Sequence, residues 1–340
     1  MRGFKFGGSM AGSVRSRIAG SGAYLPPGIL SNSDLEKIVD TTNDWIVERT
    51  GIVNRHISRG ETAVDLAQRA SEAALADAGL SAKDIDMIVV ATVTGENIMP
   101  STACSLQYRL GCRNNIVAFD ILAACSGFVY ALSIADQFIR GGNFKKILVV
   151  GSEVFTRHIN YKERETCILF GDGAGAWILS ASDEKENSCI MSTHLHADGE
   201  FGDLFNLKAG GRDNPVYSPI ESIEINYMKM KGKELFKTAV RSISDCCQEA
   251  LAANGVAPES VDWVIPHQAN KRILSAVGNQ IGLPEEKMIL SLHETGNTSA
   301  ASIPIAFEFG RKENKIKRGD LILIAAFGAG ITSGSALLKY

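Results

Sequence analysis

The sequence predicts an α/β protein made of two duplicated halves, with mostly parallel sheets enclosing buried helices in five layers. Three observations carry this. Residues 75–89 (LADAGLSAKDIDMIV) reappear with substitutions at 251–265 (LAANGVAPESVDWVI), and in both copies an alanine-rich helix ends at a glycine before an acidic turn leads into a strand. The likeness continues, Leu110-Gly111 matching Ile281-Gly282 and 147–151 matching 322–327, so the repeating unit is a whole α/β domain and not a solenoid module. Finally, the helix expected after Cys125 carries Phe128, Ala131, Leu132, Ala135, Phe138 and Ile139 at helical spacing, with apolar residues on its other faces too. A helix apolar nearly all round belongs between layers.

In chain order, residues 1–13 are small, glycine-rich and basic without the apolar stretch of a secretory signal, and read as a flexible extension. Residues 14–184 form the first half, in which apolar strands alternate with long helices, the pattern of a covered parallel sheet. The polar run 180–188 (SASDEKENS) is the natural join, and 185–340 form the second half. With 340 residues, 45% hydrophobic and 21% charged, the chain has material for a large core. A net charge of −3 argues against a nucleic-acid partner, and no apolar run approaches the roughly 18 residues of a membrane span. Seven cysteines, an odd number without Cys-x-x-Cys spacing, point to a reducing, cytoplasmic setting with neither disulfides nor a structural metal.

Ligands of open parallel sheets bind beyond the carboxyl ends of the strands. Three such ends carry polar groups. Cys125, in 122–128 (LAACSGF), falls between strand 116–121 and the apolar helix, where backbone N–H groups and the helix dipole favour a thiolate. Ala123, Ala124, Ser126 and Gly127 leave room for an approaching group, although a lone cysteine also serves as a small packing residue. His267 directly follows strand 263–266, and Asn297 stands in 296–302 (GNTSAAS). The repeat aligns Cys125 with Gly296, so a pseudo-twofold brings the Cys125 and Asn297 loops together. Such a set supplies a nucleophile and two donors. The thiolate takes an acyl group from a thioester; His267 Nε2–H and the Asn297 amide then stabilise the enolate formed when a second thioester loses CO2.

These residues resemble the β-ketoacyl-acyl-carrier-protein synthase III family, the initiating condensing enzymes of type II fatty acid synthesis. The resemblance runs from about residue 17 to the C-terminus through 44–52 (DWIVERTGI), 123–128 (AACSGF), 170–176 (FGDGAGA), 266–270 (PHQAN) and 296–302. It implies a thiolase-like αβαβα fold and an acyltransferase that condenses a short acyl-CoA primer, acetyl-CoA first, with malonyl-acyl-carrier protein through an acyl-cysteine. The alternative within this chemistry is a condensing enzyme of secondary metabolism with another primer. Outside it stands a non-catalytic carrier-binding scaffold. By resemblance, Cys125, His267 and Asn297 form the triad, Cys125 and Ala329 N–H groups the oxyanion hole, and Phe327 the border of the thiol. Coenzyme A, a substrate and not a cofactor, is expected along Thr41, Trp45, Arg49, Arg164, Gly232, Phe236, Ala269 and Asn270. Carrier docking falls to Lys237, Gln268, Lys271 and Arg272. The resemblance also implies a homodimer in which Met99 enters the partner's acyl pocket. Ala329 and Ser333 replace a glycine and a tryptophan common in the family, and Asn279 and Gln280 replace basic residues.

Other motifs read as structural. Residues 171–175 lack the last glycine of a dinucleotide loop and read as a tight turn. His194 and His196 alternate on one strand face without a third metal ligand. His293, four residues before Asn297, competes with it as the catalytic group, and the Gly-Asn-Thr-Ser context favours Asn297. The order Cys, His, Asn is also that of papain-like proteases, whose local cysteine signature is missing here.

Overall fold

The computed structural model describes residues 14–182, 187–208 and 227–340. The expected N-terminal extension and the join between the halves at 184/185 lie outside the described residues. The first half contains strands β1 (Arg15–Tyr24), β2 (Gly28–Ser31), β3 (Asn54–Ile57), β4 (Met87–Ala91), β5 (Val117–Ile121), β6 (Lys146–Glu153) and β7 (Gly173–Ser182). Its helices are α1 (Asn32–Leu35), α2 (Asn43–Thr50), α3 (Ala63–Ala78), α4 (Thr102–Arg109), α5 (Gly127–Arg140) and α6 (Arg164–Cys167). The second half contains β8 (Cys189–Ala197), β9 (Phe205–Asn206), β10 (Lys229–Met230), β11 (Trp263–Pro266), β12 (Leu321–Gly328) and β13 (Thr332–Lys339), with α7 (Gly232–Ala253), α8 (Lys271–Ile281), α9 (Leu292–Thr295) and α10 (Ser302–Lys312).

The duplication is visible in the topology. The first sheet runs β1-β7-β6-β4-β5 and the second β11-β12-β13-β8, which read from β8 as β8-β13-β12-β11 repeats the first order one strand short. The counterpart of β5 is reduced to a single parallel bridge between Val264 and Met288. In both sheets the central pairs, β4 with β6 and β11 with β12, are parallel.

Side-chain alternation assigns the layers. Met87, Val89 and Ala91 of β4 pack with Phe128, Leu132 and Ala135 of α5, and with Ile303 and Phe307 of α10, against Ile322, Ile324 and Ala326 of β12. Ile88 and Val90 face the other way, onto Leu66, Ala70 and Ala74 of α3. Leu323 and Ala325 likewise turn to Ile243, Cys247 and Leu274 of α7 and α8. The order is therefore helices, sheet, central helices, sheet, helices. The outer helix α3 is set by a Thr62–Asp65 capping box at its start and by left-handed Gly79 (φ 63) at its end. It lies so close on β1 that a Cβ at Gly22 would fall 2.5 Å from the Ala70 carbonyl oxygen. Where α3 ends on glycine, α7 ends on Asn254, with Gly255 (φ 62) one residue later. No helix among the described residues is long and apolar enough to cross a membrane.

Candidate active site

One cavity of about 930 Å³ gathers Cys125, His267 and Asn297, which come from three separate loops. The outermost polar residues of the same cavity include Trp45, Arg49, Arg164, Lys237 and Arg272.

Cys125 sits in the short 3-10 turn before α5 and is buried. Ala124, just before it, holds a left-handed φ of 46, a conformation costly for a residue with a Cβ and found where surrounding structure enforces it. The enforcing contact is Gly328: a Cβ there would lie 2.9 Å from the Cys125 amide nitrogen and 3.0 Å from the Ala123 oxygen. The Ser126 hydroxyl adds bonds to the Ala123 carbonyl (2.8 Å) and Thr332 Oγ1 (2.7 Å), tying the turn to the start of β13. Burial pushes the thiol up to about 12, a hydrogen bond from Ser299 opposes this, and the charge of Glu153 adds to it. The sequence suggests a resting thiolate; the structure holds a thiol, so the nucleophile has to be generated.

His267 follows β11, and its N–H donates to the Ala325 carbonyl at 2.7 Å. The ring is buried, with Nδ1 2.7 Å from Ser302 Oγ. The Gln268 N–H donates to that same oxygen (3.4 Å), and in the tautomer in which the Ser302 hydroxyl donates to Nδ1, Nε2 carries the ring hydrogen. Burial lowers the imidazole to about 3, so it stays neutral at physiological pH.

Asn297 is fixed by its backbone, the N–H donating to Leu169 O (2.8 Å) and the carbonyl accepting from Gly171 N (3.1 Å). Its side-chain oxygen accepts from the Ser299 N–H at 2.9 Å, which leaves the two amide hydrogens for the cavity. Ser299 (φ 52) is another strained residue without the excuse of being glycine. Behind this loop lies Arg55, fully buried, bound to the Ile168 carbonyl and, at 2.6 Å, to Asn32 Oδ1. It supports the segment that pairs with Asn297, a role with no signal in the local sequence.

Of the remaining residues singled out from sequence, Phe327, Trp45, Arg49, Arg164, Gly232, Phe236, Ala269, Asn270, Lys237 and Arg272 line the cavity. The Arg49 and Arg164 guanidinium groups already lie over the Trp45 ring, 4.6 and 4.5 Å from its centroid. Asn270 caps α8 by accepting from Arg272 N (2.9 Å). Thr41 stays outside the lining, its hydroxyl buried without a partner. Ala329 is half-buried at the start of the next turn, while its neighbour Gly328 forms the wall.

One expected docking residue is corrected. Gln268 cannot dock a carrier protein: it is fully buried, donates to the Pro266 carbonyl (2.7 Å) and accepts from the Ser291 N–H (3.0 Å). The resemblance implies a docking role, whereas the chain just after β11 keeps this side chain inside. Lys271 is exposed and pairs with Glu285 at 3.1 Å, outside the cavity. Met99 is 82% exposed and does not line this cavity. His293 is exposed beside Glu294, which leaves Asn297 as the group in the cavity. Residues 171–175 are structural, but they are not the tight turn expected: Gly173 opens β7, and Asp172 just before it accepts from Ser58 N and Thr156 N. His194 and His196 both contact Glu249, and among the described residues no cluster suited to a metal ion occurs.

Comparison with known proteins agrees with this geometry. The family model of 3-oxoacyl-[acyl-carrier-protein (ACP)] synthase III matches residues 119–199, and that of its C-terminal part matches 251–340. The Beta-ketoacyl-[acyl-carrier-protein] synthase III of Thiobacillus denitrificans is 48% identical, covering 96% of this chain and 99% of its own, and that of Alkalilimnicola ehrlichii 46%, with the same coverages. The crystal structure of the Aquifex aeolicus 3-oxoacyl-[acyl-carrier-protein] synthase III superposes with a TM-score of 0.88 at 46% identity, over 96% of this chain and all of that one. A priming β-ketosynthase of the R1128 polyketide pathway also superposes, at 0.88 and 32% identity, over 98% and 99% of the two chains.

Proposed function

This chain belongs to the β-ketoacyl-[acyl-carrier-protein] synthase III family, and from that premise we propose how its cavity divides the decarboxylative Claisen condensation. Cys125 takes a short acyl group, acetyl first, from acyl-CoA. His267 and Asn297 then hold the thioester carbonyl oxygen of malonyl-acyl-carrier protein while its carboxylate leaves as CO2. The carbanion attacks the acyl-cysteine, giving 3-ketoacyl-acyl-carrier protein and starting fatty acid biosynthesis. The observation behind this division is that both donors are neutral, buried and aimed by fixed partners, Ser302 for the ring and the Ser299 N–H for the amide. Donors of that kind stabilise a developing oxyanion without reorganising. A cationic histidine would instead hold the malonyl carboxylate and oppose its loss.

The primer enters as acyl-CoA, a substrate, and the reaction takes no further cofactor. Its adenine stacks on Trp45, displacing or intercalating beside one of the two guanidinium groups there. The pantetheine arm follows Gly232, Phe236, Ala269 and Asn270 to the thiol, with Phe327 bordering the acyl group and the Cys125 and Ala329 N–H groups receiving the condensation oxyanion. Lys237 and Arg272, exposed at the cavity, attract the acidic carrier protein. Single-turnover intact-protein mass with acyl-CoAs of increasing length tests the reading. A covalent gain on Cys125, discharged by malonyl-acyl-carrier protein, is expected; no gain with any acyl-CoA contradicts it.

The same reading includes a homodimer. Ile98 (88%), Met99 (82%), Tyr108 (83%) and Leu122 (82%) are exposed apolar side chains in the segment before α4, on α4 and just after β5, a sheet edge. A second copy seated there covers the edge and brings Met99 to the partner's acyl pocket. Met99→Phe narrows the primer range and Met99→Thr widens it, by about 1 to 3 kcal/mol per methylene. Specificity constants unchanged in both variants, or a fully active monomer in sedimentation, would remove this arrangement.

A further inference from the structure

Glu153, the last residue of β6, is fully buried, lies outside the cavity lining and takes no part in the chemistry described so far. Its carboxylate gathers donors from two places. From the residues just after β4 come the Thr92 hydroxyl (3.3 Å), the Val93 N–H (3.2 Å) and the Thr94 hydroxyl (2.5 Å). Thr92 Oγ1 accepts from Thr94 N and Thr94 Oγ1 from Val154 N, at 3.2 and 2.8 Å, so backbone fixes these side chains in turn. The remaining donor is the Ser299 hydroxyl, 3.1 Å from Oε1 and two residues after Asn297. Ser299 is the residue whose N–H holds the Asn297 side-chain oxygen (2.9 Å), and it does so in the left-handed conformation (φ 52) that a side chain makes costly. β6 lies directly against this turn: a Cβ at Gly151 would fall 2.5 Å from the Ala300 carbonyl oxygen.

We propose that Glu153 is a positioning residue for the condensation step: by holding the Ser299 hydroxyl it keeps the Ser299 N–H on the Asn297 oxygen, and so points the Asn297 amide hydrogens into the cavity. This rests on the role given to Asn297 above. A side-chain amide held through one N–H can swing about its last torsion or turn end for end, and either motion takes its donors away from the thioester oxygen. Residues 298–301 (TSAA) contain no glycine to adopt the left-handed backbone freely, so the turn that presents that N–H needs an outside hold. An ionised carboxylate supplies one. Hydrogen bonds to a charged acceptor are stronger than neutral ones, and this acceptor is itself anchored by three donors next to the first sheet. The contacts run from the residues after β4 through Glu153 and Ser299 to Asn297, and of these only Asn297 lines the cavity. A donor fixed in advance stabilises a developing oxyanion more than one that must be oriented as the charge appears.

The test is a double-mutant cycle on the decarboxylation of malonyl-acyl-carrier protein by the acetylated enzyme, followed as CO2 release at pH 8, above the Glu153 carboxyl that burial raises to about 7. Glu153→Gln keeps the length of the side chain and removes its charge. It should slow the rate about 10-fold in the wild-type background, with KM for the carrier substrate nearly unchanged, and less than about two-fold where Asn297 is already alanine. Ser299→Ala removes only the hydroxyl and should give the same pair of results; combined with Glu153→Gln, it should lose no more than either change alone. A carboxylate that merely ties loops together slows the reaction by the same factor with and without the Asn297 amide, and that result overturns the proposal. So does a Glu153→Gln rate equal to that of wild type. Should Glu153→Gln fail to fold, the Ser299→Ala and Asn297→Ala cycle decides in the same way. If wild type releases CO2 and the cycles are additive, only the positioning role falls. If wild type forms no acyl-enzyme and releases no CO2, the condensing reading falls and the positioning role with it.

Discussion

The two ends of the cavity are built on different principles. At the inner end Cys125, His267 and Asn297 are buried, and each is held by a hydrogen bond or close contact: Gly328 behind the cysteine, Ser302 on the ring, and the Ser299 N–H of its own loop on the amide. At the mouth Arg49, Lys237 and Arg272 are exposed, and the ordering visible there is guanidinium stacking on half-buried Trp45. The difference follows from what each end has to do. Groups that stabilise charge only as it develops must be fixed beforehand in a medium of low polarity. Groups that gather a polyanionic nucleotide or an acidic protein need only charge and a flat surface, and water does not defeat them.

Substitutions at the inner end should therefore act on turnover and those at the mouth on apparent affinity. Cys125→Ser is expected to remove acyl-enzyme formation altogether, since an unassisted hydroxyl is a poor nucleophile at neutral pH, and mass spectrometry of the acetyl-CoA-treated variant reads this out. Asn297→Ala should cost about 10² to 10³ in condensation rate, the typical loss for one oxyanion donor, with KM for the carrier substrate nearly unchanged. Gly328→Ala drives a Cβ into the Cys125 turn and should lower stability by about 1 to 3 kcal/mol in a denaturant titration while slowing acylation more than binding. At the mouth, Arg272→Ala should raise KM a few-fold at low salt, and the difference should vanish at high salt; an unchanged salt dependence would break the contrast.

A smaller effect concerns pH. The folded-state Glu153 carboxyl sits near 7 against an ordinary 4.5, so between those values the native protein binds a proton that the unfolded chain does not. Wild type consequently loses stability as pH rises from about 4.5 to 7, and Glu153→Gln does not. The stability difference should move in the variant's favour by on the order of 2 kcal/mol across that window in urea melts at fixed pH. The smallest effect belongs to Lys271→Ala, whose exposed pair with Glu285 should contribute about 0.5 kcal/mol or less.

The same contrast governs what the sequence reveals. Cys125 and His267 are legible because each follows a strand in a short local motif; Asn297, which follows α9 and not a strand, is legible from its Gly-Asn-Thr-Ser context and from the repeat, which places its loop beside that of Cys125. The duplication follows from the internal repeat, and the central α5 and the five layers from apolar periodicity. The shortened second sheet does not, because the segment at Met288 makes one bridge where β5 makes a full ladder. Gln268 misleads because a motif next to a catalytic residue says nothing of which way the chain turns. Glu153, Ser299, Ser302 and Arg55 stay hidden for a related reason: their partners are far away in sequence, and nothing local distinguishes a serine that aims a histidine from one that faces water.

The division of labour at the inner end is tested most directly by mixing His267→Ala with acetyl-CoA and then with malonyl-acyl-carrier protein, following the intact enzyme mass and the ketoacyl product in the same reaction. The account predicts that Cys125 acquires the acetyl group at a rate near that of wild type and keeps it, with almost no CO2 or product formed. A variant that cannot be acetylated would make His267 part of nucleophile activation, and one that condenses normally would remove it from the oxyanion site; either result contradicts the assignment.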